Sequence, residues 1–222
     1  MVLYRHTGKD DHTQRRKGDP HGCCRIRFAT AEASVCRVRV AALILGGLVK
    51  VMKNSLHGQY EFRSIRPEEA EEAADIEQIC FPPNEACSRD MMLQRAAIAP
   101  EQFLVAVDRD SGKIAGFLNG LATDERDFRD AFFTDAGLHD PQGKTVMLCG
   151  LDVLPEYRGK GLARELVSIY SLREQERGRE RLVLTCLDSK VDMYRKMGFR
   201  DLGESASVWG GEKWHDMERY LT

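Results

Sequence analysis

The chain has 222 residues, 42% of them apolar and 31% charged, with 33 Lys and Arg against 35 Asp and Glu for a net charge of −2. That length suits one ordinary domain plus an extension, and no apolar run reaches the length of a membrane span. The seven cysteines show no paired metal spacing, which predicts free thiols, no bound metal and a reducing, cytoplasmic setting.

The charge is uneven along the chain. Residues 1–51 hold 10 basic and 4 acidic side chains, and residues 52–222 hold 23 and 31. The first segment contains Asp10-Asp11, Arg15-Arg16-Lys17 and Cys23-Cys24 and follows neither a helical nor a strand period. Its apolar run from Val40 to Val49 is too short for a span and too far from the start for a signal peptide. Residues 1–51 are therefore expected to be disordered or a non-native extension, with translation starting at Met52. The alternative is a basic tail that docks on a membrane surface or a partner. The folded domain is then 52–222. Its acidic balance argues against nucleic acid and favours a cationic partner such as an amine.

After a polar leader, Lys53-Asn54-Ser55, residues 60–66 (YEFRSIR) alternate as a strand does. Pro67 opens a helix whose first turn carries Glu68 and Glu69. Its apolar stripe is Ala70, Ala73, Ile76, Ile79 and Cys80, and Phe81-Pro82-Pro83-Asn84 ends it. Ser88 caps a second helix through Met91, Met92, Ala96 and Ala99. Strands at Phe103 to Val107 and Ile114 to Leu121 flank the turn Asp110-Ser111-Gly112-Lys113. A polar loop, 123–144, leads to a strand from Thr145 to Leu154. A helix starting at Leu162, a strand from Arg181 to Cys186 and a short helix through Tyr194 follow. Trp209 and Lys213 to Leu221 close the sheet. No repeat is present. This order predicts a mixed α/β sheet with helices on both faces.

The stretch between the Thr145–Leu154 strand and the next helix is the richest in chemistry. Pro155-Glu156-Tyr157-Arg158-Gly159-Lys160-Gly161-Leu162-Ala163 turns through glycines into a helix N-terminus, where free N–H groups and the helix dipole suit a pyrophosphate. Leu162 stands where a Walker loop needs a hydroxyl, and Arg164 stands where a dinucleotide fingerprint needs its third glycine. The remaining pattern is Arg158-x-x-Gly161-x-Ala163. Downstream, a strand runs into Asp188, Ser189 and Val191-Asp192-Met193-Tyr194 and then Gly198-Phe199. The two signatures, in that order, resemble the GNAT superfamily of N-acetyltransferases. Within it, the stretch from Phe62 to Leu221 looks most like the arylalkylamine (serotonin-type) enzymes and their microbial relatives.

The resemblance implies the GNAT fold, a central mixed sheet splayed between its fourth and fifth strands. It implies acetyl transfer from acetyl-CoA to a primary amine, a small aryl- or alkylamine, by direct attack in a ternary complex. The coenzyme contacts it implies fall on Leu151, Asp152 and Val153 and on Arg158, Gly159, Lys160, Gly161, Leu162, Ala163 and Arg164. Tyr194 would protonate the leaving thiolate. Phe81 and Trp214, with Pro82 or Pro83 nearby, would line the acceptor pocket. Two other readings stay open: acetylation of a protein N-terminus or antibiotic amine, and an acyl-CoA sensor without catalysis.

Met147 and Cys149 occupy the two central-strand positions where the animal enzymes of the family carry histidines, and neither is a credible base. At pH 7 only about one alkylamine molecule in a few thousand is neutral, so a water chain to an acidic group or to solvent is expected. Asp152, Glu85, Asp124 and Glu125 are the candidates. The two-residue strand period puts Asp152 on the face opposite Cys149, which counts against it. His139 is expected to be a solvated loop residue.

Overall fold

In a computed structural model of the protein the described residues are 55–222. The expected extension over residues 1–51 and the start at Met52 lie outside them. Ser55 caps the first short helix, α1 (Leu56–Gln59), by accepting from Gly58 N–H. It leads directly into β1 (Tyr60–Ser64). Pro67–Glu69 forms a 3₁₀ turn that runs on into α2 (Ala70–Cys80), as expected of a proline at a helix start. Ser88 Oγ accepts from Met91 N–H at 3.2 Å and caps α3 (Arg89–Ile98). β2 (Phe103–Asp108) and β3 (Ile114–Thr123) form the expected hairpin, and Gly112 takes a φ of +70° in its turn. Residues 123–144 are not the plain loop expected. They contain α4 (Ala131–Thr134) and bury Phe128, Phe132 and Phe133.

The remaining elements are β4 (Thr145–Val153), α5 (Leu162–Glu176), β5 (Arg181–Leu187), α6 (Asp188–Arg195), β6 (Arg200–Glu204) and β7 (Trp214–Tyr220). The seven strands make one sheet in the order β1-β2-β3-β4-β5-β7-β6. All neighbours run antiparallel except β4 and β5. One face is covered by α5, whose Leu162, Leu166 and Val167 pack with Leu118, Val146, Leu148 and Leu184. The other face is covered by α2 and α3, where Ala73, Ile76 and Met92 meet Phe103, Val105 and Phe117. Helices therefore lie on both faces of a mixed sheet, as expected.

Two irregularities in β4 position the site. The parallel pairing with β5 covers only Thr145↔Arg181, Val146↔Leu182 and Met147↔Val183. Past these pairs the strands have no cross-strand partner on that side, so the sheet opens between them. The second irregularity is a bulge against β3. Asn119 pairs with Gly150 and Gly120 with Leu148, so Cys149 has no residue opposite it. A bulge adds one residue to one strand and shifts the alternation beyond it. Leu148, Leu151 and Val153 all pack with the cluster under α5. Met147 and Cys149 pack on the other face. Asp152, two residues after Gly150, ends up on that second face, beside Glu77 of α2.

Candidate active site

The sheet opening holds a cavity of about 860 Å³ whose wall includes residues from β4, β5, α5, α6 and the loop after α2. The half expected to take the coenzyme is built by the turn from β4 into α5. Pro155–Tyr157 forms a 3₁₀ turn, and Arg158 Nε donates to Val153 O at 2.8 Å, which folds the loop back onto the strand end. Gly159 has φ +74° and Gly161, the N-cap of α5, has φ +88° and ψ 1°. A Cβ at Gly161 would meet only Leu56 Cδ1, at 3.9 Å. Backbone conformation, not crowding, is what demands glycine there. The open surface above Gly161, the free first-turn N–H groups of α5 and the adjacent Arg158 and Arg164 fit a pyrophosphate. The unpaired edges of β4 and β5 fit the amide-bearing arm of a coenzyme A.

Leu151, Val153, Arg158, Gly159, Gly161, Leu162, Ala163, Arg164, Tyr194, Phe81 and Trp214 all lie on the cavity wall. Asp152 and Lys160 do not. Asp152 turns to the α2 face, and Lys160 Nζ donates to Glu156 O at 3.0 Å and sits 5.6 Å from the centre of the Tyr157 ring. Tyr194 packs edge-on to Phe199 with ring centres 5.6 Å apart. Burial, with smaller contributions from Cys186 and Asp152, pushes the Tyr194 phenol well above its usual value. It therefore stays protonated across the physiological range, as a proton donor must.

The other half of the wall is aromatic and acidic. Phe81, Phe133, Trp209 and Trp214 line it with Glu77 and Glu85. The loop after α2 is strapped to the β6–β7 connection at two points. Asn84 Nδ2 donates to Gly210 O at 2.9 Å, and Trp209 Nε1 donates to Glu85 O at 2.8 Å. Trp214 Nε1 in turn donates to Trp209 O. Burial and then the nearby Glu212 raise the Glu85 carboxyl above its usual value. Cys80, Cys87, Cys149 and Cys186 also reach the wall. Burial pushes Cys80 and Cys186 up to about 12 and Cys87 up to about 11, and it raises Cys149 as well. These thiols are poor nucleophiles beside a thioester.

Several expectations are corrected by this geometry. Asp152 is on the same face as Cys149, because the bulge at Cys149 cancels the strand alternation. His139 is not solvated. Its side chain is 2% exposed, Nδ1 accepts from Ala122 N–H at 3.1 Å and Nε2 lies 3.1 Å from Glu101. Asp124 accepts from Lys144 N–H and Glu125 pairs with Arg129, and neither lines the cavity. Met147 is fully buried away from the cavity wall, whereas Cys149 is on it. On α2 the expected stripe is rotated: Ile79 is 58% exposed and Glu77 is 2% exposed.

Glu77 is the feature that the apolar stripe hid. Its Oε1 accepts from Cys87 N–H at 2.8 Å, and its Oε2 is buried with no hydrogen-bond partner. Both oxygens of Asp152 are buried and unpartnered as well. A Cβ on Gly150 would lie 3.2 Å from Asp152 Oδ2, 3.5 Å from Glu77 Oε2 and 3.0 Å from Asn119 Nδ2, so three polar groups converge over that glycine. Burial raises both carboxyls, and the charge of Glu77 raises Asp152 further. Arg95, buried in α3, donates to Asn119 Oδ1 and to Phe132 O and Phe133 O, which leaves the two carboxyls without an ion-paired guanidinium. Among the described residues, no group of three or more His, Cys, Asp and Glu could hold a metal ion.

The pattern of the acetyltransferase (GNAT) family matches residues 70–199. A mycothiol acetyltransferase of Thermobifida fusca is 39% identical over 119 residues, which is 50% of this chain and 32% of that protein. The chain thus spans about a third of the length of that curated relative. Among solved structures, the loading GNATL domain of CurA from Lyngbya majuscula aligns with a TM-score of 0.64 at 16% identity, over 73% of this chain and 98% of the domain. YncA of Salmonella typhimurium, solved with its cofactor acetyl-CoA, aligns with a TM-score of 0.52 at 17% identity, over 74% of this chain and 95% of that one. At such identities these structures speak for the fold alone. No helix among the described residues is long and apolar enough to cross a membrane.

Proposed function

The chain belongs to the acetyltransferase (GNAT) family, and from that premise we propose that it moves an acetyl group from acetyl-CoA to a primary amine on a small aryl- or alkylamine. The observation that carries the reading is one continuous cavity. It joins the Arg158–Ala163 loop, the Tyr194 phenol and the Phe81–Trp209–Trp214 wall. Acetyl-CoA supplies the activated acyl thioester.

Each group on the wall has a task in this reading. The first-turn N–H groups of α5, with Arg158 and Arg164, hold the pyrophosphate. The open edge of β4 at Leu151 to Val153 aligns the arm, and a strand N–H there binds the oxyanion, an interaction worth several kcal/mol in comparable sites. Tyr194 delivers a proton to the departing sulfur. Of the two protons that the nitrogen loses, one balances that transfer and one leaves to solvent. The acidic, aromatic half draws a cationic amine with an apolar body.

The hydrogen bonds that strap residues 84–85 to residues 209–210 support a small acceptor over a protein N-terminus, because they tie two loops together across that half of the cavity. The relative named mycothiol acetyltransferase supports a small-molecule acceptor as well. The retained Tyr194 on the wall counts against a sensor without catalysis. The deciding experiment is thiol release from acetyl-CoA with a panel of primary amines, N-terminal peptides and aminoglycosides. Turnover restricted to peptides or aminoglycosides would replace the small-amine reading. Coenzyme binding without release on any acceptor would leave the sensor.

A further inference from the structure

We propose that Glu77 is the group that takes the proton from the acceptor ammonium, and that Asp152 is the positioning residue, which holds a resident proton of its own against the Glu77 carboxylate. The inference rests on the acetyltransferase reading and deepens it at the acceptor end of the same cavity.

The geometry makes the argument. Glu77 lines the cavity yet is 2% exposed, so it borders the acceptor half and is shielded from bulk water. Its Oε1 is held by Cys87 N–H, which fixes the carboxyl plane and leaves Oε2 free. Asp152 is wholly buried and both its oxygens lack a partner. A buried carboxylate without a counter-charge or donors is expensive. Two of them over the same glycine form an arrangement that a shared proton relieves. The groups facing Glu77 are Asp152 and Cys149 from β4, Arg95 from α3 and Cys87 in the loop after its helix, while Cys80 of that helix lies against Asp152 and Arg158. The two cations nearby are committed elsewhere: the Arg95 guanidinium to Asn119 and two backbone carbonyls, and Arg158 Nε to Val153 O. The pair is thus free to gain and lose a proton without breaking an ion pair.

The step balances as follows. Glu77 carboxylate accepts one proton from R–NH₃⁺ and becomes a carboxylic acid. The freed nitrogen lone pair forms the C–N bond to the thioester carbonyl carbon. The C–S bond then breaks with its electron pair on sulfur, and Tyr194 protonates that sulfur. The nitrogen's second excess proton restores the Tyr194 phenol through water, and Glu77 returns its proton to solvent. One amide, one thiol and one released proton result.

The variants are Glu77→Gln, which keeps an acceptor for Cys87 N–H, and Asp152→Asn. Coenzyme binding by calorimetry and thermal melting confirm that each is folded. With a strongly basic amine that the wild type acetylates, Glu77→Gln should lower kcat/KM at pH 7 by about 10²-fold or more, with a loss of roughly tenfold or less on trifluoroethylamine, already neutral at that pH. The loss on the basic amine should shrink as pH rises, and Asp152→Asn should replace two coupled carboxyl steps in the acid limb by one. Equal losses on both amines, or none on the basic one, would overturn the assignment. Carboxyl ¹³C NMR of the protein alone gives a reading independent of turnover. Wild type should retain one shared proton at neutral pH, and two ordinary carboxylates ionised by about pH 5 would sink the pair. A wild type that releases no thiol with any acceptor, while the NMR shows the shared proton, refutes the acetyltransferase reading and leaves the carboxyl pair standing.

Discussion

The sharpest test of the coenzyme loop is a charge placed at Gly161. That residue has φ +88° and ψ 1°, and the nearest atom to an added Cβ is Leu56 Cδ1 at 3.9 Å. Gly161→Ala therefore adds no clash and costs only the left-handed backbone, about 1–2 kcal/mol. At the size of this chain that is a melting shift of about 2–4 °C for each kcal/mol. Gly161→Glu carries the same backbone cost and adds a carboxylate. At ~6 Å from a phosphate charge, an effective dielectric between about 20 and 80 gives ~0.7–2.8 kcal/mol of repulsion for each charge. Two pyrophosphate charges double that, which weakens coenzyme binding by roughly tenfold to about ten-thousandfold beyond the alanine variant. The assay is calorimetry with coenzyme A on wild type, alanine and glutamate variants, at low and high salt. The glutamate deficit should shrink as salt shortens the screening length from about 10 Å at 0.1 M to about 3 Å at 1 M. Undiminished binding by Gly161→Glu, or equal losses in both variants, would refute the anion cradle.

Tyr194→Phe should lower kcat by roughly 10²-fold, the scale of one lost general acid, with coenzyme affinity little changed; an unchanged kcat with chemistry rate-limiting removes Tyr194 from the reaction. His139→Ala leaves Ala122 N–H without its acceptor and should cost about 1–3 kcal/mol of stability by denaturant melting, with kcat within about twofold of wild type. A large fall in kcat at unchanged stability would return His139 to the list of bases. Asp152 is raised well above its usual value in the fold by burial and then by Glu77, so its contribution to stability is complete at pH values below the unfolded carboxyl and is lost as pH climbs through its folded value. Asp152→Asn lacks that loss, and its melting temperature should gain on wild type between pH 5 and pH 8. A gap that stays constant over that range contradicts a raised Asp152.

The elements were legible wherever one local rule governs them. Ser88 reads as a helix cap, Asp110 to Lys113 as a turn and Gly161 as a helix start, and each is so in the structure. What the sequence hid depends on a second strand or helix. The face of Asp152 follows from Asn119 pairing with Gly150 while Gly120 pairs with Leu148, and no feature of Cys149 itself announces the extra residue. Glu77 falls outside the expected apolar stripe of its helix, and its burial shows only once Cys87 N–H and Asp152 are brought to it. The burial of His139 depends on the N–H of Ala122, 17 positions earlier. Residues 123–144 look polar because charged side chains crowd around their three phenylalanines, yet Phe128 packs with both Phe132 and Phe133.

The gap between β4 and β5 also has a kinetic meaning. Only three residue pairs at one end hold the two strands together, and the gap wall takes Leu148 and Leu151 from one face of the sheet and Glu77 and Trp209 from the other. The cavity thus draws on both faces of the sheet, and in the proposed acetyl transfer the nucleotide would approach from the helix α5 side and the acceptor from the α2 side. Traffic through two doors need not queue. On that proposal the acetylated product leaves on the α2 side while the spent coenzyme is still seated, and each product should compete only with the reactant that shares its side.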